Sequence, residues 1–553
     1  MKQTDGLSRD AIKNGFSESL YDVAVIGGGI TGSGIARDAS NRGLKTILLE
    51  KDDFASGTSS KSGKLVHGGL RYLNYGQFRM VYESCKERHY LRSKVAPHIV
   101  KPVPFLISFY PESSPGRWKV ASGLFLYDIL SLYRNVRGFR VLSKHDLTKL
   151  EPGLNTHQSK GGLRFWDCMS LDYRLTIDTL KSAAESGAHL LNYQTVKTLI
   201  KKTAEKPWHE IICEDSIDRT QSIPRAKVVI NAAGAWADDV LESLGQKKGF
   251  GLKISKGVHL VLDNSDYQVK NAIGFHDIES KRQIYAVPWG NRLLLGTTDS
   301  FYTESKDQIP IYEQDIEYLL KSVKKIFPGI HPKRKDVISA YAGIRPLIGS
   351  DSDKSESEMS RDFEIKIDHD GLVSITGGKL TTYRHMAQTL MDQVCDRYFP
   401  QHRHPDTSTL SPISGGHMTQ NPHGFGKPGQ GQISQESIRH LQEYYGSNSE
   451  KILDYVEKNK KSGDLISPDS PHIWAEIDYG LEHEFAMTLA DIMIRRTTLY
   501  LFAPDNGLKA SEAIARYMAP RLNWNEDRIR HEISSYQSQV SQMKHMVEGK
   551  GKQ

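Results

Sequence analysis

Residues 22–50 read DVAVIGGGITGSGIARDASNRGLKTILLE, and the order of features in this stretch decides the fold. Residues 22–26 are a short apolar run suited to a buried strand. Gly27, Gly29 and Gly32 then form G-x-G-x-x-G where the chain turns into a helix. The three glycines do different things. Gly27 permits the tight turn, Gly29 removes the side chain that would block a pyrophosphate, and Gly32 lets the helix pack close to its strand. Backbone N–H groups at the helix start face the phosphate anion. Ala36 is small on the strand-facing side, Gly43 follows the helix, and residues 46–49 make a second strand ending at Glu50, which is placed to take a ribose hydroxyl. Strand, glycines, helix, strand and acid in that order specify a dinucleotide site, which a bare G-x-G-x-x-G would not.

The chain has 553 residues, enough for two or three domains around a large core. Lysine and arginine number 73 against 66 acids, a net charge of +7. This balance favours an anionic substrate or membrane surface and is too diffuse for a nucleic-acid footprint. Cys85, Cys168, Cys213 and Cys395 are scattered without a C-x-x-C, so neither a disulfide framework nor a metal site is expected, and a reducing cytoplasm fits. Residues 1–20 lack the apolar core of a signal peptide and read as a flexible lead-in. No run reaches the roughly 18 apolar residues of a spanning helix. The nearest, 120–133, is interrupted by Asp128. Attachment to a membrane surface through an amphipathic element stays open.

Residues 51–73, KDDFASGTSSKSGKLVHGGLRYL, form a loop whose hydroxyls and amides suit phosphate and whose Arg71 can clamp an anion bidentately. Residues 78–96 have helical periodicity stopped by Pro97. Strands are expected at 101–110 and 162–165, an amphipathic helix at 171–186, and a turn with a strand returning to the nucleotide sheet at 187–199. Residues 227–233, KVVINAA, read as a buried strand running into Gly234-Ala235-Trp236, where small residues allow backbone to approach a ligand. Residues 251–262 and 282–298 alternate without crossover helices, the mark of a second sheet covering the cofactor. SAYAGIRP at 339–346 and LVSITGGKLTTYR at 372–384 form a third chemistry-rich region, separated by a serine and acid surface loop at 350–360. Gly377 and Gly378 turn a strand into a helix over 379–394, which brings a second helix N-terminus to the site. Residues 411–432 read as a linker, and the apolar spacing at 433–445, 449–458, 474–500, 508–518 and 526–546 specifies a helical domain.

A single dinucleotide seat with a late return of Gly-Gly-Lys to the same sheet suits FAD better than NAD. These motifs resemble the FAD-dependent glycerol-3-phosphate dehydrogenases. IGGGITGSGIARDASNRG at 26–43 and GGKLTTYRHMA at 377–387 look like that family's two signature segments. SGKLVHGGLRYL at 62–73, SKGVHLVL at 255–262, GIRPL at 343–347 and SRDFEI at 360–365 resemble it in the same order. The likeness is close from about residue 20 to residue 400 and looser in the helical tail. It implies an α/β protein: an FAD-binding Rossmann-like domain of the glutathione-reductase/D-amino-acid-oxidase type in segments of about 20–100, 170–238 and 335–400, interleaved with a β-sheet substrate domain in about 101–169 and 239–334. A linker at 406–432 would follow this 20–405 region, and then a C-terminal α-helical cap at 433–547.

The resemblance further implies oxidation of sn-glycerol 3-phosphate to dihydroxyacetone phosphate, with FAD taking the hydride at N5 and a quinone taking the electrons. The setting implied is cytoplasmic, with room for peripheral attachment to the membrane's cytoplasmic face and for a homodimer. Substrate C2 must lose a hydride while its hydroxyl loses a proton, so the site needs a base, and cations for the phosphate. His259 is the expected base, and Arg345 would orient and polarise the C2 oxygen. Arg71, Tyr72, Arg361 and Lys379 would hold the phosphate. The cofactor contacts implied are Gly27, Gly29, Gly32, Glu50, Ser59, Ser62, His67, Val196, Ala233, Gly234, Gly378, Lys379 and Thr381. The nearest alternative is an oxidase of the same family that returns electrons to oxygen; no counterpart of the oxidases' insertion is evident. A flavin amine or hydroxy-acid oxidase suits the many cations less well. A flavin-binding, nucleic-acid-associated factor would call for a basic stripe with interleaved aromatics, which the chain lacks.

Overall fold

The run LYDVAVI forms the strand Leu20–Ile26, buried from Val23 onward in the middle of a parallel sheet. The structure, a computed structural model, describes residues 9–549 apart from 17–18, 111–115, 203–206, 247–248, 266, 277–282, 350–361, 369–370, 404–410 and 418–432. Thr46–Leu49 pairs on one side of the central strand and Arg225–Asn231 on the other, both parallel to it, with His189–Leu191 next to Thr46–Leu49. Leu372–Gly377 joins parallel to Arg225–Asn231, and Phe363–Ile367 lies antiparallel on it. Strands of this kind are buried on both faces, which is why they read as continuous apolar runs.

One face of this sheet carries the helix Ile30–Asn41, packed with Asp172–Glu185 and Tyr383–Tyr398. The approach is close because Gly34 has no side chain: a Cβ there would lie 2.9 Å from Tyr383 Cδ2. Val25, Ile35, Leu48, Val373 and Leu390 are fully buried in the shared core, each contributing roughly 1.5–3 kcal/mol.

The second sheet is mainly antiparallel. Lys253–Asp263 pairs with Val337–Leu347 from Lys253 opposite Leu347 to Leu262 opposite Val337. Beyond it come Arg292–Gly296, Gln283–Trp289, Ala272–His276, Lys101–Ser108, Gly162–Met169 and Leu65–Val66. Val337–Leu347, within the segment of about 335–400 expected to belong to the FAD-binding part, pairs into the second sheet. The chain rejoins the first only at the pair Phe363–Ile367 and Leu372–Gly377.

Residues 9–16, expected within a loose lead-in, are ordered against the first sheet. Arg9–Asn14 is a helix that buries Ile12, and Phe16 is buried beside it in the core under Ala24 and Ile26. Arg9 and Lys13 both reach the buried Asp215, at 2.7 and 2.9 Å. Within the expected linker, 411–417 is likewise fixed: Ile413 is buried and its N–H donates to the Val95 carbonyl at 2.8 Å. The remainder of that stretch, and the 350–360 loop, lie outside the described residues.

The C-terminal part is helical: Gln435–Tyr445, Ser449–Lys458, Ala475–His483, Leu508–Leu522 and Glu526–Glu548. The helix expected across 474–500 is interrupted. Phe485 adopts φ +61°, which an α-helix cannot continue through, and the Thr488 side chain caps a new turn at Leu489–Asp491. This domain touches both sheets. Met543 and Val547 enter the core under the second sheet, and Phe485 packs on the core of the first.

Candidate active site

Three parallel strands end at the same edge of the first sheet, and each runs into a glycine turn: Leu20–Ile26 into Gly27, Arg225–Asn231 into Ala233-Gly234, and Leu372–Gly377 into Gly378. The carboxyl edge of a parallel sheet is where such folds place their ligands. Gly27 has φ +112°, and a Cβ there would lie 2.8 Å from the Ala232 carbonyl oxygen. A Cβ at Gly32 would overlap the Gly27 carbonyl oxygen, and one at Gly29 would stand 3.1 Å from Ser59 Oγ. Gly28, which the G-x-G-x-x-G reading passes over, is equally constrained, since a Cβ would meet Phe54 and Glu50.

Glu50 sits beneath this turn. Its Oε2 accepts the Gly28 N–H at 2.6 Å and its Oε1 the Asp52 N–H at 2.9 Å, while burial raises its pKa. A carboxylate has acceptor positions beyond these two. Ser59 Oγ takes the Ile30 N–H at 2.9 Å, which brings its hydroxyl to the start of the nucleotide helix. The Gln194 N–H donates to the Glu50 carbonyl at 2.7 Å, and Val196 follows two residues on, beside a bulge in its strand. Across the edge, the Thr376 hydroxyl donates to the Gly234 carbonyl at 2.8 Å. His67 and Thr381 are clipped together: the His67 N–H donates to Thr381 Oγ1 at 3.1 Å, and that hydroxyl donates to the His67 carbonyl at 3.2 Å.

His259, on Lys253–Asp263, is 3% exposed and stacks on Tyr341, with ring centroids 4.9 Å apart and planes 14° from parallel. Room for its ring exists because Gly296, opposite it, and Gly63, from the first motif loop, lack side chains; a Cβ at Gly63 would lie 3.3 Å from His259 Nε2. His259 Nδ1 is buried without a partner. Burial first, and then the charges of Arg345 and Lys64, push the His259 pKa well below its usual value. The imidazole is therefore neutral and able to accept a proton. Tyr341 fixes the ring from behind, its hydroxyl donating to the Ser62 carbonyl at 2.9 Å. The Ser62 N–H donates to Asp172, which also pairs with buried Lys64 at 2.7 Å.

Arg345 donates to Thr297 Oγ1 at 3.0 Å and to Asp299 at 3.2 Å, in space that a side chain at Gly257 would fill. Arg71 and Lys379 share the buried ring of Tyr72, at 5.1 and 3.9 Å from its centroid. Arg71 Nη2 is buried with no partner. Burial opposes the Arg71 charge, but Tyr72, Tyr285 and Asp299 outweigh it and raise its pKa. Asp299 thus faces both arginines. The structure links these residues in steps: Arg345 acts on His259, Asp299 acts on Arg345 and Arg71, and Tyr72 carries Arg71 and Lys379; Arg361 lies outside the described residues. Motif spacing does not single out Tyr341, Asp299 or Lys64. Tyr341 stands two residues from Gly343 in GIRPL, a spacing that turns it to the same face of an antiparallel strand.

The glycine cradle and the acid below it fit the adenine-dinucleotide half of FAD. The family model described as FAD dependent oxidoreductase matches residues 22–384, and one described as the C-terminal domain of alpha-glycerophosphate oxidase matches 373–529. An aerobic glycerol-3-phosphate dehydrogenase from Bacillus subtilis is 35% identical over 535 residues, covering 95% of each chain. The chain belongs to the FAD-dependent glycerol-3-phosphate dehydrogenases. A member from Synechocystis is also 35% identical, over 95% of this chain and 97% of its own. The solved structure of the glycerol-3-phosphate dehydrogenase from Bacillus halodurans complexed with FAD superposes with a TM-score of 0.81 at 31% identity, covering 97% of this chain and 98% of that one. The L-alpha-glycerophosphate oxidase from Mycoplasma pneumoniae, at 18% identity and a TM-score of 0.54, shares the fold. As in this family, the cofactor is FAD.

A second cluster could hold a metal by composition. His440, His472 and Glu476 bring ligand atoms within 4.8 Å of one another in the helical domain. Hydrogen bonds already join them: His472 Nε2 accepts the Thr498 N–H at 2.9 Å, so its Nδ1–H donates to Glu476 at 2.7 Å, and His440 and Tyr445 share the same carboxylate oxygen.

Proposed function

We propose that this protein oxidises sn-glycerol 3-phosphate to dihydroxyacetone phosphate and passes the electrons to a quinone. The observation that carries the reading is a neutral histidine beside Arg345, with Asp299 joining that arginine to Arg71, which shares one tyrosine ring with Lys379. Bound FAD supplies the hydride acceptor, N5 of its flavin ring. His259 takes the proton from the C2 hydroxyl, its ring held in place by Tyr341. Arg345, itself positioned by Thr297 and Asp299, draws charge onto the C2 oxygen and favours its ionisation. Arg71 and Lys379 take the phosphate, the arginine through its free guanidinium nitrogen. Gly27, Gly29, Gly32, Glu50, Ser59, Ser62, His67, Val196, Ala233, Gly234, Gly378 and Thr381 are assigned to the cofactor.

A lipid-soluble acceptor calls for a surface that meets lipid. Among the described residues no helix is long and apolar enough to cross a membrane. The helix Arg117–Leu130, however, buries Ala121, Leu124 and Tyr127 on one side and exposes Trp118, Phe125 and Ile129 on the other, with Leu132 and Tyr133 exposed just beyond. Lys119 on this helix and Arg134, Arg137 and Arg140 just after it are exposed. Exposed apolar residues with basic ones close in sequence suit an anionic bilayer. Oxygen as acceptor is the second reading, and peroxide formation under air separates the two. The substrate assignment is tested by anaerobic spectra of the purified protein: glycerol 3-phosphate bleaches the flavin quickly and glycerol far more slowly. Bleaching by neither, or by both alike, overturns it.

A further inference from the structure

The helical domain reaches the cofactor seat through a short segment. Residues 50–55 run under the glycine turn: Glu50 takes the Gly28 N–H, the Ala55 N–H donates to the Gly28 carbonyl at 3.0 Å, and buried Phe54 fills the space that a Cβ on Gly28 would occupy. From below, the segment is gripped by the C-terminal domain. Asp53, 1% exposed, accepts Arg495 Nε at 2.5 Å and both terminal nitrogens of Arg496 at 2.7 Å. Arg496 is fully buried and donates its remaining Nε–H to the Glu484 carbonyl at 2.7 Å. One residue on, the Phe54 ring meets Phe485 edge-on, with centroids 5.4 Å apart. Burial alone would raise the Asp53 pKa, but Arg496 and Arg495 bring it down to about 2.

A buried ion pair contributes little net stability, because desolvation offsets the attraction; what it fixes is geometry. Here the geometry fixed is that of three residues that touch Gly28, the centre of the phosphate turn. We infer that the C-terminal helical domain is a cofactor clamp: Arg496 on Asp53 and Phe485 on Phe54 hold residues 50–55 against Gly28, and FAD affinity is set from the far end of the chain. Pre-organising a site in its bound shape raises affinity by removing the ordering cost.

The test reads FAD binding directly, without substrate, so it stands apart from the substrate assignment. Apoprotein of the full chain is titrated with FAD and quenching of flavin fluorescence gives Kd. Arg496→Met raises Kd by about tenfold or more, while the flavin-saturated enzyme keeps its KM for glycerol 3-phosphate. Phe485→Leu raises Kd in the same direction by a smaller factor and answers the question if Arg496→Met does not fold. As the comparison, Arg292→Met removes a bond from the same domain to the other sheet, the 2.8 Å contact with the Phe502 carbonyl, and leaves FAD Kd within about twofold even where it lowers Tm. An unchanged Kd in whichever of Arg496→Met and Phe485→Leu folds, or an equal rise in Arg292→Met, overturns the clamp.

Discussion

His259 lies face to face with Tyr341, ring on ring at 4.9 Å, while its Nδ1 is buried and unpartnered. Each residue is carried by one of the two longest strands of the second sheet, and they stand directly opposite in the register. The pairing fixes the imidazole plane and leaves the ring nitrogen without a hydrogen-bond partner of its own.

The first prediction concerns the base. His259→Asn slows the reductive half-reaction by about 10²–10⁴-fold, measured by stopped-flow reduction of the flavin under anaerobic conditions. Because the His259 pKa is pushed well below 6.5, the neutral form persists into the acid range, and the acid limb of kcat/KM in the free enzyme falls below pH 6.5. The sign for folding follows from the same shift. As pH drops through 6.5 the unfolded chain protonates this histidine and the folded one does not, so stability is lost on the acid side and unaffected above it. His259→Asn therefore reduces the fall in Tm between about pH 7 and about pH 5.

The phosphate clamp is tested by Arg71→Ala, which raises KM for glycerol 3-phosphate by about 100-fold and changes the poor turnover of glycerol little. Arg71→Lys restores only part of the loss, since an ammonium cannot reproduce the planar fork that stacks on Tyr72. Steady-state kinetics on both substrates check it, and equal effects on the two would assign Arg71 to the fold.

How much of this is legible in the sequence divides by distance along the chain. The strand, turn and helix of 22–50 are local, and their glycines and Glu50 stand where their spacing puts them. Long-range partners are hidden. Nothing in GIRPL says that Tyr341 faces His259, because antiparallel register is set by side-chain burial on both strands together. Val337–Leu347 pairs with Lys253–Asp263 and not with the nucleotide sheet for the same reason: a strand's own residues do not name its neighbour. Residues 9–16 look loose because their polar composition hides Ile12 and Phe16, and their anchor, Asp215, lies about two hundred residues away in sequence.

The dinucleotide turn has a sharper test. At Gly32 a methyl group would overlap the Gly27 carbonyl oxygen, so Gly32→Ala forces the nucleotide helix off its strand. The protein then purifies without the flavin absorption band, and its FAD Kd rises by about 100-fold or more. Gly123→Ala is the comparison. It lies in the helix Arg117–Leu130 with nothing within 4 Å of its added methyl, and it retains flavin.

The outer face of Arg117–Leu130 yields the last prediction. Trp118 is 68% exposed, Phe125 55% and Tyr133 73%, and burying two such aromatic side chains in a bilayer contributes about 1.5–3 kcal/mol each. Trp118→Asp combined with Phe125→Asp therefore lowers partitioning onto anionic liposomes by about 100-fold or more, read by flotation at low salt. The charges of Lys119, Arg134, Arg137 and Arg140 add an electrostatic part, so wild-type binding weakens as salt screens it. The inner face is tied to the site: Tyr127 donates to Asp167 at 2.9 Å, and Asp167 accepts the Gly68 N–H at 3.1 Å, next to His67. The double variant changes only the outer side chains. It keeps wild-type turnover with a water-soluble acceptor and loses activity with a quinone embedded in vesicles; equal activity with both acceptors would remove this face from the path to the membrane.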